Sequence, residues 1–194
     1  TFTSANWDTP QTATVTGADD FILDGNQSST VTITVVDSIS DNDFSGVADQ
    51  TVSATTTDDD VAGFTIVESD GSTSVNESGT TDTFTVVLDA EPTSDVVLTV
   101  TSSDPGEATV TSTLTFTSAN WDTPQTITVT GVNDDLIDGD IVSTVTVVVD
   151  DANSNDDFDA VADQTVSVTT TDDDVAGFTI VESDGSTEVA ESGT

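Results

Sequence analysis

Residues 1–80 align with residues 115–194 without a gap, at an offset of 114, and 59 of those 80 positions are identical. TFTSANWDTPQT stands at 1–12 and again at 115–126, and TTTDDDVAGFTIVESDGST stands at 55–73 and at 169–187. A period of 114 exceeds the roughly 20–50 residues of a solenoid unit, and it suits one sandwich domain of about 100 residues per unit. The 194 residues therefore hold about 1.7 units. Seventeen of the 21 differences fall between Ala18 and Gly46, while the acids Asp8, Asp20, Asp24, Asp43 and Asp49 and the run Asp58 to Asp60 recur. The phase predicts one complete repeat at 61–174. It makes residues 1–60 the closing strands of the preceding repeat and residues 175–194 the opening strand or two of the next. Neither partial repeat can bury its apolar face alone, so the chain reads as a window on a longer polymer of repeats in series.

Within the complete unit, apolar residues alternate with period 2. Phe64 and Ile66 begin the pattern. Phe84, Val86 and Leu88 share one face, as do Val96, Leu98 and Val100. Short strands follow near Ala108–Val110 and Leu114–Thr117, then at 126–130 (Ile127, Val129), 143–149 (Val145, Val147, Val149) and 165–171 (Val166, Val168). Alternation rich in β-branched residues predicts strands, and no segment carries helical periodicity. Seven or eight strands separated by turns predict an all-β, immunoglobulin-like antiparallel sandwich, with a core around Phe84, Leu98, Val129 and Val147.

Composition limits the function. The chain has 38 acidic side chains, 31 of them Asp, and no Lys, Arg or His, for a formal charge of −38. Without cationic side chains it cannot neutralise phosphates, which excludes nucleic-acid binding as a main function and excludes direct attraction to anionic membranes. No apolar run approaches the ~20 residues of a membrane-spanning helix. No His, Lys, Cys or Tyr is present to activate a nucleophile, so only a carboxylate pair remains for catalysis, and no enzyme is expected. The lack of Cys fits a secreted protein that does without disulfides. Leu, Ile, Val and Phe total 49 of 194, above the roughly 20% below which high charge implies disorder. Folding that depends on bound cations is the expectation.

No internal side-chain ion pair can form, so every carboxylate must meet water, a hydrogen-bond donor or a cation. Four clusters stand apart from scattered surface acids. The first is Asp172, Asp173 and Asp174, repeated as Asp58, Asp59 and Asp60. The second is the loop VNDDLIDGD, with Asn133, Asp134, Asp135, Asp138 and Asp140. The third is Glu77, repeated as Glu191, and the fourth is Asp104 with Glu107 in SSDPGE. Successive loops of a sandwich alternate between its ends, so the loop after Val129 and the terminal Asp run share one end. Adjacent carboxylates raise one another's pKa unless a counter-charge intervenes. Calcium takes 6–8 oxygen ligands and suits clustered carboxylates and carbonyls. The loop is no EF-hand, because Leu136 and Val145 fall where that motif needs ligands. Trp7 and Trp121, in SANWDTP, are expected to cap a sandwich edge.

The stretch TDDDVAGFTIVESDGSTSVNESG resembles the junction of tandem Calx-beta domains. ITVTGVNDDLIDGD resembles that family's late strand and acidic loop, and VSVTTTDDD resembles its closing strand. The resemblance spans the 114-residue unit. It implies a calcium-binding sandwich, and the family occurs in sodium–calcium exchangers and in large bacterial surface proteins. By position it implies calcium ligands at Glu77, Asp104 (or Glu107), Asn133, Asp134, the Leu136 carbonyl, Asp138, and Asp172, Asp173 and Asp174. In the incomplete copies it implies Asp20, Asp24, Asp58, Asp59, Asp60 and Glu191. Two departures leave the number of ions per repeat open: Ile141 stands near an expected second Glu, and Asn133 replaces an expected acid.

The reading that follows is a structural or adhesive repeat of a secreted, cell-surface or filament protein, stiffened by calcium at domain ends and junctions. Its partners would be calcium, neighbouring repeats and other copies of the protein. The alternative is a calcium sensor like the exchanger domains. Near-identical repeats argue against it, since a sensor needs one tuned site rather than an array.

Overall fold

The computed structural model describes residues 1–183, 185–187, 189 and 191. It is all-β, with antiparallel sheets forming a sandwich. The elements in chain order are β1 (Gln27–Ile33), β2 (Gln50–Thr56), β3 (Phe64–Glu68), β4 (Thr73–Asn76), β5 (Thr81–Leu88), β6 (Val96–Ser102), β7 (Ala108–Val110), β8 (Thr113–Phe116), β9 (Gln125–Gly131), β10 (Ile141–Val149) and β11 (Gln164–Thr171). One sheet of the sandwich runs β4-β11-β10-β6-β8 and the other β3-β5-β9-β7. Two strand positions are split between the sheets. β3 pairs with β5 and then its continuation β4 crosses to pair in parallel with β11; β7 pairs with β9 and its continuation β8 pairs with β6. The alternation thus predicts eight of the nine strands at 61–174. The missed strand is the four-residue β4, whose Thr73–Val75 alternation is too short to stand out.

The period-2 pattern sets the core. Phe84, Val86, Ile127 and Val129 from one sheet face Leu98, Val100, Val145, Val147 and Val168 from the other, all 0–2% exposed. Phe158, from a short 3-10 turn at Asp156–Phe158, closes one end. Apolar side chains that would each gain about 1.5–3 kcal/mol on burial therefore line a single interior. The hairpin β1–β2 carries the same register as β10–β11: Gln27 pairs Thr56 as Ile141 pairs Thr170. It forms a two-stranded sheet with Ile33 and Val52 exposed. In the last copy, residues 175–183 form no strand and Phe178 is exposed. Part of the stretch corresponding to β4, at 187–190, lies outside the described residues. No helix among the described residues is long and apolar enough to cross a membrane.

Candidate metal centre

Strand direction gathers the acids. β4, β6, β9 and β11 all end at one pole of the sandwich, so residues 77–80, 103–107, 132–140 and 172–174 meet there. Inward parity continues past the strand ends. Thr73 and Val75 of β4 are buried, and Glu77 is the next residue on that face. Val166, Val168 and Thr170 of β11 are buried, and Asp172 and Asp174 follow on theirs. Glu77 is fixed by its amide, which donates to the Thr171 carbonyl at 3.2 Å. Asn76 ties the same strands together, its side-chain amide donating to the carbonyl and hydroxyl oxygens of Thr171 at 3.1 and 2.8 Å.

Two groups of carboxylates result. Glu77, Asp172 and Asp174 bring one oxygen each within 4.8 Å of one another, and Glu107, Asp134 and Asp138 do the same. Glu77 is 1% exposed and neither of its carboxylate oxygens has a hydrogen-bond partner. Glu107 Oε2 and Asp174 Oδ2 are likewise buried and unpartnered. Among the described residues, Ser143 Oγ is the one other buried side-chain atom in that state. Burying a polar group without a hydrogen bond costs free energy, and an uncompensated charge costs far more. With no Lys, Arg or His in the chain, no side chain can supply the missing charge.

The electrostatics of the group carry the same conflict. Burial, and after it Asp172, Asp134, Glu107 and Asp138, push the Glu77 carboxyl up to about 7. Burial and then Asp138 raise Glu107, and burial and then Asp135 raise Asp174. Asp172 is held below the usual carboxylate range by backbone amides. The Asp174 amide donates to its Oδ1 at 2.7 Å and the Gly139 amide to its Oδ2 at 2.8 Å. The 132–140 loop is shaped for this contact. Asp134 Oδ1 accepts the Leu136 amide at 2.7 Å, and Gly139 adopts φ +79°, a left-handed conformation that glycine reaches without steric cost.

The remaining residues singled out in the sequence lie around these groups. Asp173 is exposed, pointing away between Asp172 and Asp174. Asp104 caps its own turn, Oδ1 accepting the Gly106 amide at 3.1 Å, while Glu107 occupies the cluster. The Asn133 side chain donates to the Asp134 carbonyl at 2.9 Å, and Leu136 is exposed. In the first copy the framework recurs: Ile22 N to Asp20 Oδ1 at 3.0 Å, Gly25 N to Asp58 Oδ2 at 2.6 Å, and Asp60 N to Asp58 Oδ1 at 2.9 Å. Burial and then Asp58 and Asp59 raise Asp60. Asp24 and Asp59 are exposed, and Glu191 is exposed. Trp121 is half-buried against the core, as an edge cap should be, whereas Trp7 is exposed.

An oxygen-only set of carboxylates, three of which (Glu77, Glu107 and Asp174) carry buried, unpartnered oxygens, fits a hard divalent cation. Glu77, Asp172 and Asp174, with Glu107, Asp134 and Asp138, would hold it, and it would supply the positive charge that this pole lacks.

No protein-family model and no curated protein matches the chain. Among solved structures, the apo form of the Calx CBD1 domain is similar at 15% identity and a TM-score of 0.41, over 57% of this chain and 98% of that one. Domains 4 and 5 of the S-layer protein SbsC are similar at 22% identity and a TM-score of 0.41, over 65% and 54%. The E. coli chaperone DraB is similar at 10% identity and a TM-score of 0.42, and the match spans 59% of each chain.

Proposed function

We propose that this chain is a segment of a tandem-repeat structural or adhesive protein, secreted or displayed at a cell surface, whose repeats are stiffened by calcium. The observation that carries the reading is Glu77: 1% exposed, both oxygens unpartnered, and grouped with Asp172 and Asp174. A fold that buries a carboxylate without a donor, in a chain without a cationic side chain, supports a bound cation as the missing partner. Calcium is preferred over magnesium because carboxylates from several chain segments suit its larger, flexible oxygen shell. The likeness of TDDDVAGFTIVESDG and of the 132–140 loop to Calx-beta sequences supports the same ion. The repeat, its 61–174 phase and the concentration of ligands at one pole support a mechanical role. Ligands follow the last strand of each copy, where one repeat passes to the next. A composition without His, Lys, Cys or Tyr, which leaves a Ser or Thr no usual activating base, favours binding over catalysis.

Titration calorimetry of the chain with calcium tests this. Saturable binding that Glu77→Gln together with Glu107→Gln abolishes is the expected result. No binding at millimolar calcium, or binding untouched by both substitutions, would overturn it.

A further inference from the structure

At the seam between the first copy and the sandwich, the segment Phe21–Ile22–Leu23 runs along the loop after β5. Ile22 forms a parallel bridge with Glu91. The Leu23 amide donates to the Glu91 carbonyl at 3.1 Å, and the Glu91 amide donates to the Phe21 carbonyl at 2.6 Å. Leu23 packs against the sandwich core. The Phe21 ring lies 5.9 Å from that of Trp121, tilted by 41°, within the range of a favourable aromatic pair. Trp121 is itself held in place, its carbonyl accepting the Leu88 amide of β5 at 3.1 Å.

The 114-residue register places Asp135, Leu136 and Ile137 where Phe21, Ile22 and Leu23 stand in the first copy. The two aliphatic positions keep their character. The aromatic position does not, for Phe21 becomes Asp135. A carboxylate cannot stack on an indole: it seeks water, and the ring face is itself negative. Ile22 and Leu23 are half-buried in their seat, while the Phe21 ring beside Trp121 keeps 60% exposure.

We propose that the three residues at 21–23 and at 135–137 are the docking tip by which each repeat clamps the following copy of the same unit, with Glu91 and Trp121 as the seat. The residue at the 21/135 position sets the strength of the clamp. Phe21 stacks against Trp121, whereas a tip headed by Asp135 keeps only the aliphatic pair Leu136 and Ile137 and lacks the aromatic contact. Junctions of two grades, firm and compliant, thus follow from the aromatic-to-acid change at this one position of the tip.

The test uses the whole chain carrying Trp7→Phe, which leaves Trp121 as the only indole, and compares it with the same chain bearing Phe21→Asp or Phe21→Tyr. Acrylamide quenching reports cover over Trp121, and hydrogen exchange at the Leu23 and Glu91 amides reports docking. Phe21→Asp should expose Trp121 and speed exchange at both amides by roughly two- to tenfold, the factor an aromatic pair of ordinary strength supplies. Phe21→Tyr, which keeps the ring, should restore the parent values. Exchange at Val129 and Val147, in the core, should not move. Unchanged quenching and exchange in Phe21→Asp would overturn the proposal, as would a Tyr variant as loose as the Asp one. Running both in chelator and in calcium keeps this separate from the calcium reading. The clamp predicts a difference between variants in either condition, whether or not calcium binds.

Discussion

Gly131, the last residue of β9, lies hard against the main chain of Asn76 at the end of β4: a Cβ at position 131 would stand 2.1 Å from the Asn76 carbonyl oxygen and 2.8 Å from its carbon. The two sheets close on each other at this point, immediately beside Glu77. Backbone cannot swing aside as a flexible side chain can, so this approach fixes where the buried carboxylate sits.

Gly131→Ala should therefore act on the site as well as on stability. Forcing the strands apart should cost about 1–3 kcal/mol, the usual range for overpacking, and should weaken calcium binding while leaving the opposite pole intact. Chemical denaturation and calorimetry on the one variant check both halves. Full calcium affinity in a destabilised Gly131→Ala would separate the strand approach from the site.

The raised Glu77 carboxyl gives a pH dependence with a definite sign. Its folded value, about 7, lies above the ordinary 4.5. Between those values the folded state binds more protons than the unfolded one, so without cations stability should fall as pH rises from about 4.5 to 7. A cation that replaces the proton should reverse the trend, and calcium affinity should climb across the same window. Melting curves in chelator at pH 5 and pH 7.5 measure the first effect. A protein more stable at pH 7.5 than at pH 5 in chelator would contradict the assignment, and Glu77→Gln should flatten the dependence.

The Asp run should divide by parity. Asp172 and Asp174 face the cluster and Asp173 faces water. Asp172→Asn should weaken calcium by more than roughly tenfold, at least the effect that losing a supporting residue alone produces at metal sites. Asp173→Asn should leave affinity nearly unchanged. Equal losses at all three positions would point to a diffuse charge effect instead of defined ligands.

This division was present in the alternation of Val166, Val168 and Thr170, which runs on into Asp172 and Asp174, yet the DDD run reads as one cluster when charge alone is considered. The sandwich itself was legible because nearly every strand buries one face, as Phe84, Val86 and Leu88 do. The choice of Glu107 over Asp104 was not. Both acids lie in one tight turn, and only the contact between that turn and the β9–β10 loop, the Val132 amide donating to the Glu107 carbonyl at 2.8 Å, decides which faces the cluster. The Phe21–Trp121 contact was equally hidden, since it joins residues 100 positions apart in sequence across a repeat boundary. The Glu77 burial could have been found by extending the Thr73–Val75 alternation by one residue.

The most direct measurement is the thermal unfolding of the wild-type chain in chelator and in millimolar calcium, beside Glu77→Gln. A ligand that binds only the folded state stabilises by RT ln(1 + [L]/Kd), about 2.7 kcal/mol per site at a hundredfold excess over Kd. The wild type should melt markedly higher in calcium. Glu77→Gln should melt above the wild type in chelator, because it removes an unpartnered buried carboxylate, and should respond little to calcium. Superimposable wild-type curves in the two conditions would contradict the account.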